Sequence, residues 1–188
     1  ADLYEVKAAV LAAKENSNLP VFCTMSFEDN LRTFTGCSIE SMVMVLQGLG
    51  VAALGVNCSL GPQQLEPVVE RLAALTNLPI IVQAHAGLPK VEQGETAFDL
   101  TPEEFAAYGR RFAERGVKIL GGCCGTTFQH IQALVAQTKD VVVPQLNNPY
   151  LPGVCTPLKP VILDSVQVVG ERINPTGKKA FQAALRNK

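Results

Sequence analysis

Apolar residues recur along this chain in two alternating rhythms. Leu3, Val6, Val10 and Ala13 lie at helical spacing and predict a helix over residues 2–14, ended by Asn16 to Pro20. Pro20 to Met25 is a short run of β-forming residues, and Glu28 to Arg32 reads as a polar loop. Ile39, Met42, Val43, Leu46 and Leu49 then mark a second helix, with Ser38 as its N-cap and Gly50 as its stop. A second strand covers Ala53 to Cys58, and Gly61-Pro62 opens a third helix with Leu65, Val68, Val69, Leu72 and Leu75 inward. Leu78 to Ala84 is a third strand, followed by a polar loop to Leu100. Thr101-Pro-Glu-Glu104 is a capping box that starts a fourth helix, with Phe105, Tyr108 and Phe112 on its apolar face and Gly116 as its end. Val117 to Gly122 forms the fourth strand, and Ile131, Leu134 and Val135 mark the helix after it.

Strand and helix thus alternate four times. Near-continuous apolar strands of this kind are buried on both faces by helices, which makes the fold α/β with a parallel sheet. The residues able to do chemistry, Cys58, His85, Cys123 and Cys124, each fall at the C-terminal end of a strand, where α/β folds place their sites. Neither a Gly-x-Gly-x-x-Gly fingerprint nor a P-loop occurs, which favours a (β/α)8 TIM barrel over a nucleotide-binding doubly wound sheet. A complete barrel needs eight strands and roughly 250 residues, so four βα units amount to half of one. Residues 141–165 carry Pro144, Pro149, Pro152, Pro157 and Pro160 without period, as a linker does. Beyond it, Val166 to Gly170 restarts as a strand and Lys178 to Leu185 as a helix with Phe181 and Leu185 inward, the opening of a second domain.

Composition narrows the functions. A net charge of -1 with 18% charged residues offers no basic stripe for nucleic acid or for an anionic membrane. No apolar stretch reaches the roughly 18 residues of a membrane span, and the first residues do not form a signal peptide, so a cytoplasmic location is expected. There the six cysteines would be thiols or metal ligands rather than disulfides.

The chemistry concentrates at Val117 to Thr127, where an apolar run ends in two adjacent cysteines between glycines. Successive strand residues face opposite ways, so Cys123 and Cys124 share a ligand only if the backbone bends, which Gly121, Gly122 and Gly125 permit. With Cys58, they offer three thiolates from two strand ends and leave a fourth position open, as in a catalytic zinc site. Buried cysteines acting as small hydrophobes fit the same spacing. A structural zinc site is disfavoured by the missing fourth ligand, and a redox pair by the lack of two residues between the cysteines.

Gly55-Val-Asn-Cys58 and Gly121-Gly-Cys-Cys-Gly-Thr-Thr127 together resemble the homocysteine-binding domain of the zinc-dependent homocysteine S-methyltransferase family, over about residues 1–140. That resemblance implies the C-terminal half of a TIM barrel, with Cys58, Cys123 and Cys124 as zinc ligands and Asn57, Gly122 and their neighbours beside the substrate, homocysteine. Val169 to Gly177 resembles the first strand and loop of the pterin-binding barrel found in cobalamin-dependent members of the family, with Glu171 and Asn174 on the pterin side. It therefore implies residues 141–165 as linker and 166–188 as the start of a methyltetrahydrofolate-binding domain. Methylcobalamin, carried on another domain, would be the immediate methyl donor. Members that use betaine or S-methylmethionine lack the second barrel and give the alternative donors; a zinc-binding fragment without activity of its own is the other alternative. Where the family usually reads Pro-Asn-Ala-Gly, this chain reads Ala84-His85-Ala86-Gly87, which makes His85 a candidate fourth ligand or substrate contact.

Overall fold

The computed structural model describes residues 2–87, 89–92, 95–170 and 177–187. In chain order its elements are α1 (Leu3–Asn16), β1 (Phe22–Met25), α2 (Ile39–Gly48), β2 (Ala53–Asn57), α3 (Pro62–Leu75), β3 (Ile80–Ala84), β4 (Pro89–Glu92), β5 (Glu95–Phe98), α4 (Pro102–Glu114), β6 (Val117–Gly122), α5 (Phe128–Thr138), β7 (Gly153–Cys155), β8 (Pro160–Ile162) and α6 (Lys179–Arg186). The main sheet has the order β1-β2-β3-β6 with every pair parallel. This is the α/β arrangement that the alternating rhythms predict.

Local signals set the helix starts. Asp2 and Glu5 close a capping box on α1, and Thr101 and Glu104 close another on α4. The Ser38 hydroxyl accepts the Ser41 N–H at 3.2 Å, and α3 begins at Pro62, whose fixed φ suits a first turn. Gly50 stops α2 with φ +68°, a left-handed turn that costs glycine little.

The core lies between one face of the sheet and helices α1 to α5. Leu54, Val56, Ile80 and Val82 are buried there against Leu65, Leu72, Phe105 and Phe112. Sequence periodicity predicts strands covered on both faces, and here the structure differs. The central strands β2 and β3 are almost wholly buried, whereas the edge strands β1 and β6 are half-buried, and Phe22 at the start of β1 is 56% exposed. Side chains along an edge have a neighbouring strand on one side only. The same holds on α5, where Leu134 is buried but Ile131 and Val135 lie open beside β6, and on α1, where Ala13 faces solvent.

Further findings concern the connections. Part of the segment predicted as a loop after β3 folds back as the antiparallel hairpin β4–β5. Residues 141–165 pass from β6 and the end of α4 across the ends of α3 and α2 and include the small hairpin β7–β8. Ser38 N–H donates to the Pro157 carbonyl at 3.0 Å, the Ser41 hydroxyl to that of Thr156 at 2.8 Å, and the Asn148 amide to those of Ala73 and Thr76, each at 2.7 Å. Val166 to Gly170 does not form the expected strand, and Val166, Val168 and Val169 are exposed with no strand beside them among the described residues. The expected helix is present as α6, yet Phe181 is only half-buried and Leu185 is exposed. Glu171 and Asn174 lie outside the described residues. No helix among the described residues is long and apolar enough to cross a membrane.

Gly55, in the middle of β2, lets β3 approach closely, since a Cβ there would collide with the Ile81 carbonyl oxygen. Backbone cannot swing aside as a side chain can. Gly55→Ala is therefore expected to lower the stability of the chain by about 3 kcal/mol, measurable as a shift of the urea unfolding midpoint.

Candidate metal centre

Hydrogen bonds continue past the ends of the strands and draw three cysteines together. Cys58 N–H donates to the Gln83 carbonyl at 2.9 Å, which sets the residue after β2 beside β3. Cys123 N–H donates to the Ala84 carbonyl at 2.8 Å, and Ala86 N–H donates to the Cys124 carbonyl at 2.9 Å. The two ends of His85 are thus fastened to the two adjacent cysteines.

Each cysteine is aimed by a departure from strand geometry. Continued alternation would point Cys58 to the face opposite Asn57, toward the helices. Instead Cys58 and Ser59 both adopt left-handed backbone, φ +54° and +61°, at a cost of about 1–3 kcal/mol each. After β6 the chain turns through Cys124 and Gly125, and only Gly125, φ +76°, uses the freedom that the glycines around the pair offer. Gly121 and Gly122 remain in the strand, where a Cβ on Gly122 would run into the Thr126 side chain. The Thr126 hydroxyl donates to the Cys123 carbonyl at 2.6 Å and fixes the turn.

The outcome is a cluster in which the ligand atoms of Cys58, Cys123 and Cys124 all lie within 4.8 Å of one another. Sγ of Cys58 is 3.6 Å from that of Cys124, and the Cys123 and Cys124 sulfurs are 3.9 Å apart. Tetrahedral zinc with bonds of about 2.3 Å to sulfur requires an edge of about 3.8 Å between sulfurs. The three residues therefore fit the ion by spacing as well as by type, and buried cysteines acting as small hydrophobes do not account for the arrangement. Cys124 is exposed and the other two are half-buried, which leaves an approach from solvent.

Electrostatics point the same way. Burial pushes the Cys58 thiol up, but hydrogen bonds from Cys123, from the Ser59 backbone and from Cys124 outweigh it and hold Cys58 below the usual thiol range. Burial, followed by the hydrogen bond with Cys58, pushes Cys123 up to about 11. One thiolate forms readily and resists the next. A cation is what would permit Cys58 and Cys123 to ionise together.

The surroundings include residues that sequence reasoning singled out and others that it missed. His85 is buried with its ring 6.2 Å from that of Phe98, and its Nδ1 has no hydrogen-bond partner. It is not among the residues whose ligand atoms cluster. Phe98, at the end of the unforeseen hairpin, packs so close to Gly125 that a Cβ there would collide with it. His130 is buried at the start of α5: its Nδ1 accepts the Thr127 N–H at 3.2 Å, and its Nε2 lies 3.1 Å from the Leu100 carbonyl. That acceptor role leaves the proton on Nε2, which ties the cysteine turn to the start of α4. Its signal in the sequence is a Thr-x-x-His spacing, a variant of the capping box. Asn57 and Gln83 stand side by side in register on β2 and β3, and Gly121 continues the row on β6.

A family model for homocysteine S-methyltransferase matches residues 1–138. The chain belongs to the homocysteine S-methyltransferase family. Among relatives of this family member, the methionine synthase of Mycobacterium tuberculosis is 33% identical over 193 residues, covering 98% of this chain and 16% of that enzyme. The methionine synthase of Mycobacterium leprae is 32% identical over the same shares. The chain thus spans about a sixth of the length of these relatives. Among solved structures, the metallated form of the homocysteine methyltransferase MmuM from Escherichia coli superposes with a TM-score of 0.59 at 25% identity, covering 71% of this chain and 41% of that one.

The unequal thiols have a measurable signature. In the metal-free chain, iodoacetamide alkylation followed by peptide mass mapping should label Cys58 at a pH below the usual thiol range, because a depressed pKa means thiolate forms earlier as pH rises. Labelling of Cys123 should lag until the pH nears about 11.

Proposed function

We propose that this chain binds zinc through Cys58, Cys123 and Cys124 and presents homocysteine as a thiolate for methylation to methionine. The observation that carries the reading is the sulfur spacing of 3.6 and 3.9 Å around one open side, in a member of a homocysteine S-methyltransferase family. When bound, zinc acidifies a coordinated thiol, which for homocysteine would otherwise be mostly protonated at neutral pH. The protein's part is to hold three thiolates at fixed separation, to leave the fourth position open, and to line its approach with polar backbone and amide groups.

We read methylcobalamin as the immediate donor and methyltetrahydrofolate as its source, both handled by other domains of a longer protein. Support comes from the match to methionine synthases, which runs over 98% of the chain and so extends past residue 138 into the tail. On this reading residues 1–140 are the C-terminal half of a TIM barrel, 141–165 a linker, and 166–188 the start of the pterin-binding domain, with Glu171 and Asn174 facing the pterin. Betaine or S-methylmethionine as donor would leave that tail without a counterpart.

His85 is the proposed fourth ligand at rest. Its buried Nδ1 lacks a partner at a cost of about 1–3 kcal/mol, which a bond to an ion would relieve.

Elemental analysis should find about one zinc per chain, lost in Cys58→Ala and Cys123→Ala, with a proton released when homocysteine binds. A folded wild-type chain without zinc would overturn the proposal. X-ray absorption at the zinc edge should show one nitrogen neighbour without substrate, absent in His85→Ala; an unchanged spectrum would remove His85 from the coordination shell.

A further inference from the structure

We infer that Gln83 is a specificity-determining residue that grips the amino-acid end of the thiol substrate, with Asn57 beside it; this rests on the reading of the cysteine cluster as the thiol site. Val82 and Ala84 line a small core cavity together with Phe105, Phe112 and Leu134, so strand alternation turns Gln83 to the other, less covered face. Asn57 and Gln83 are paired in register across β2 and β3, and Gly121 is paired with Gln83 across β3 and β6. Partners in register on parallel strands project on the same side, which places both amides one residue below Cys58 and two below Cys123.

Gln83 is unusual for its setting. It interrupts an otherwise apolar strand, Ile80-Ile81-Val82-Gln83-Ala84, and is half-buried. Its side chain leans over Gly121, where an added Cβ would lie 3.5 Å from its Cγ and 3.8 Å from its Nε2. Neither the Gln83 amide nor the Asn57 amide has a hydrogen-bond partner among the described residues. Both residues are half-buried, and neither amide is among the fully buried unpartnered atoms, so each amide on this face is open to solvent and free to take a ligand.

The chemistry of that ligand follows from the donor set. A carboxamide accepts through its oxygen and donates through its nitrogen, so it serves an ammonium and a carboxylate alike. Two neutral amides beside anionic sulfurs suit a zwitterion whose thiol reaches the cluster while its charged ends remain near the sheet. A lysine there would pair with the cysteines instead, and an aspartate would add to their repulsion.

The test compares homocysteine with 1-propanethiol, which keeps the thiol and lacks both charged ends, by calorimetric titration of the zinc-loaded chain. The Gln83→Leu variant, with Gln83→Met as a second, straight-chain replacement, should retain its zinc and its 1-propanethiol affinity. Homocysteine should bind about tenfold to a hundredfold more weakly. An unchanged preference for homocysteine over 1-propanethiol in a folded, zinc-loaded variant would overturn the role of Gln83 and leave the thiol site standing. Failure of the zinc-loaded wild-type chain to bind either thiol would overturn both readings.

Discussion

Three backbone hydrogen bonds beyond the last rungs of the sheet hold this molecule's chemistry in place. They run from Cys58 to Gln83, from Cys123 to Ala84 and from Ala86 to Cys124, and all three use β3 or the residues just after it. Residues far apart in sequence thereby become neighbours through a strand that carries none of the three cysteines. The central position of β3, between β2 and β6, is what makes this possible. Removing order from β3 would separate the cysteines even if every thiol were kept.

The cost of the arrangement is visible in the backbone. Two consecutive left-handed residues at Cys58 and Ser59 are unfavourable for side chains with a Cβ, and they persist because α3 and β3 hold the chain on either side. The buried, unpartnered Nδ1 of His85 adds to that cost. Such concessions, close to sulfurs that resist joint ionisation, leave the region poised to gain from a cation and a polar ligand.

Much of the fold was legible because it is written locally. The capping box at Thr101, Pro62 at a first turn and Gly50 at a stop each act within a few residues, and β6 begins and ends where its apolar run does. The cluster was legible as a set of residue types, and the family motif tied them together. What escaped were long-range facts. The β4–β5 hairpin depends on pairing between segments of mixed polarity, and the left-handed turn at Cys58 leaves no mark on residues that are not glycine. The separate duties of Gly121, Gly122 and Gly125 could not be told apart without knowing what lies opposite each. Gln83 did leave a signal, a polar residue inside an apolar strand, but its meaning required the register with Asn57 and Gly121.

Backbone hydrogen bonds fix where the three cysteines stand, and their short side chains leave the sulfurs little reach beyond that. The cluster therefore acts as a ruler. On the proposed reading, an ion with longer bonds to sulfur would have to spread Cys58 from Cys124, first by turning the side chains and then by stretching hydrogen bonds at the end of the sheet. On that reading, discrimination by bond length falls in part on the backbone, and the site has a preferred size as well as a preferred chemistry.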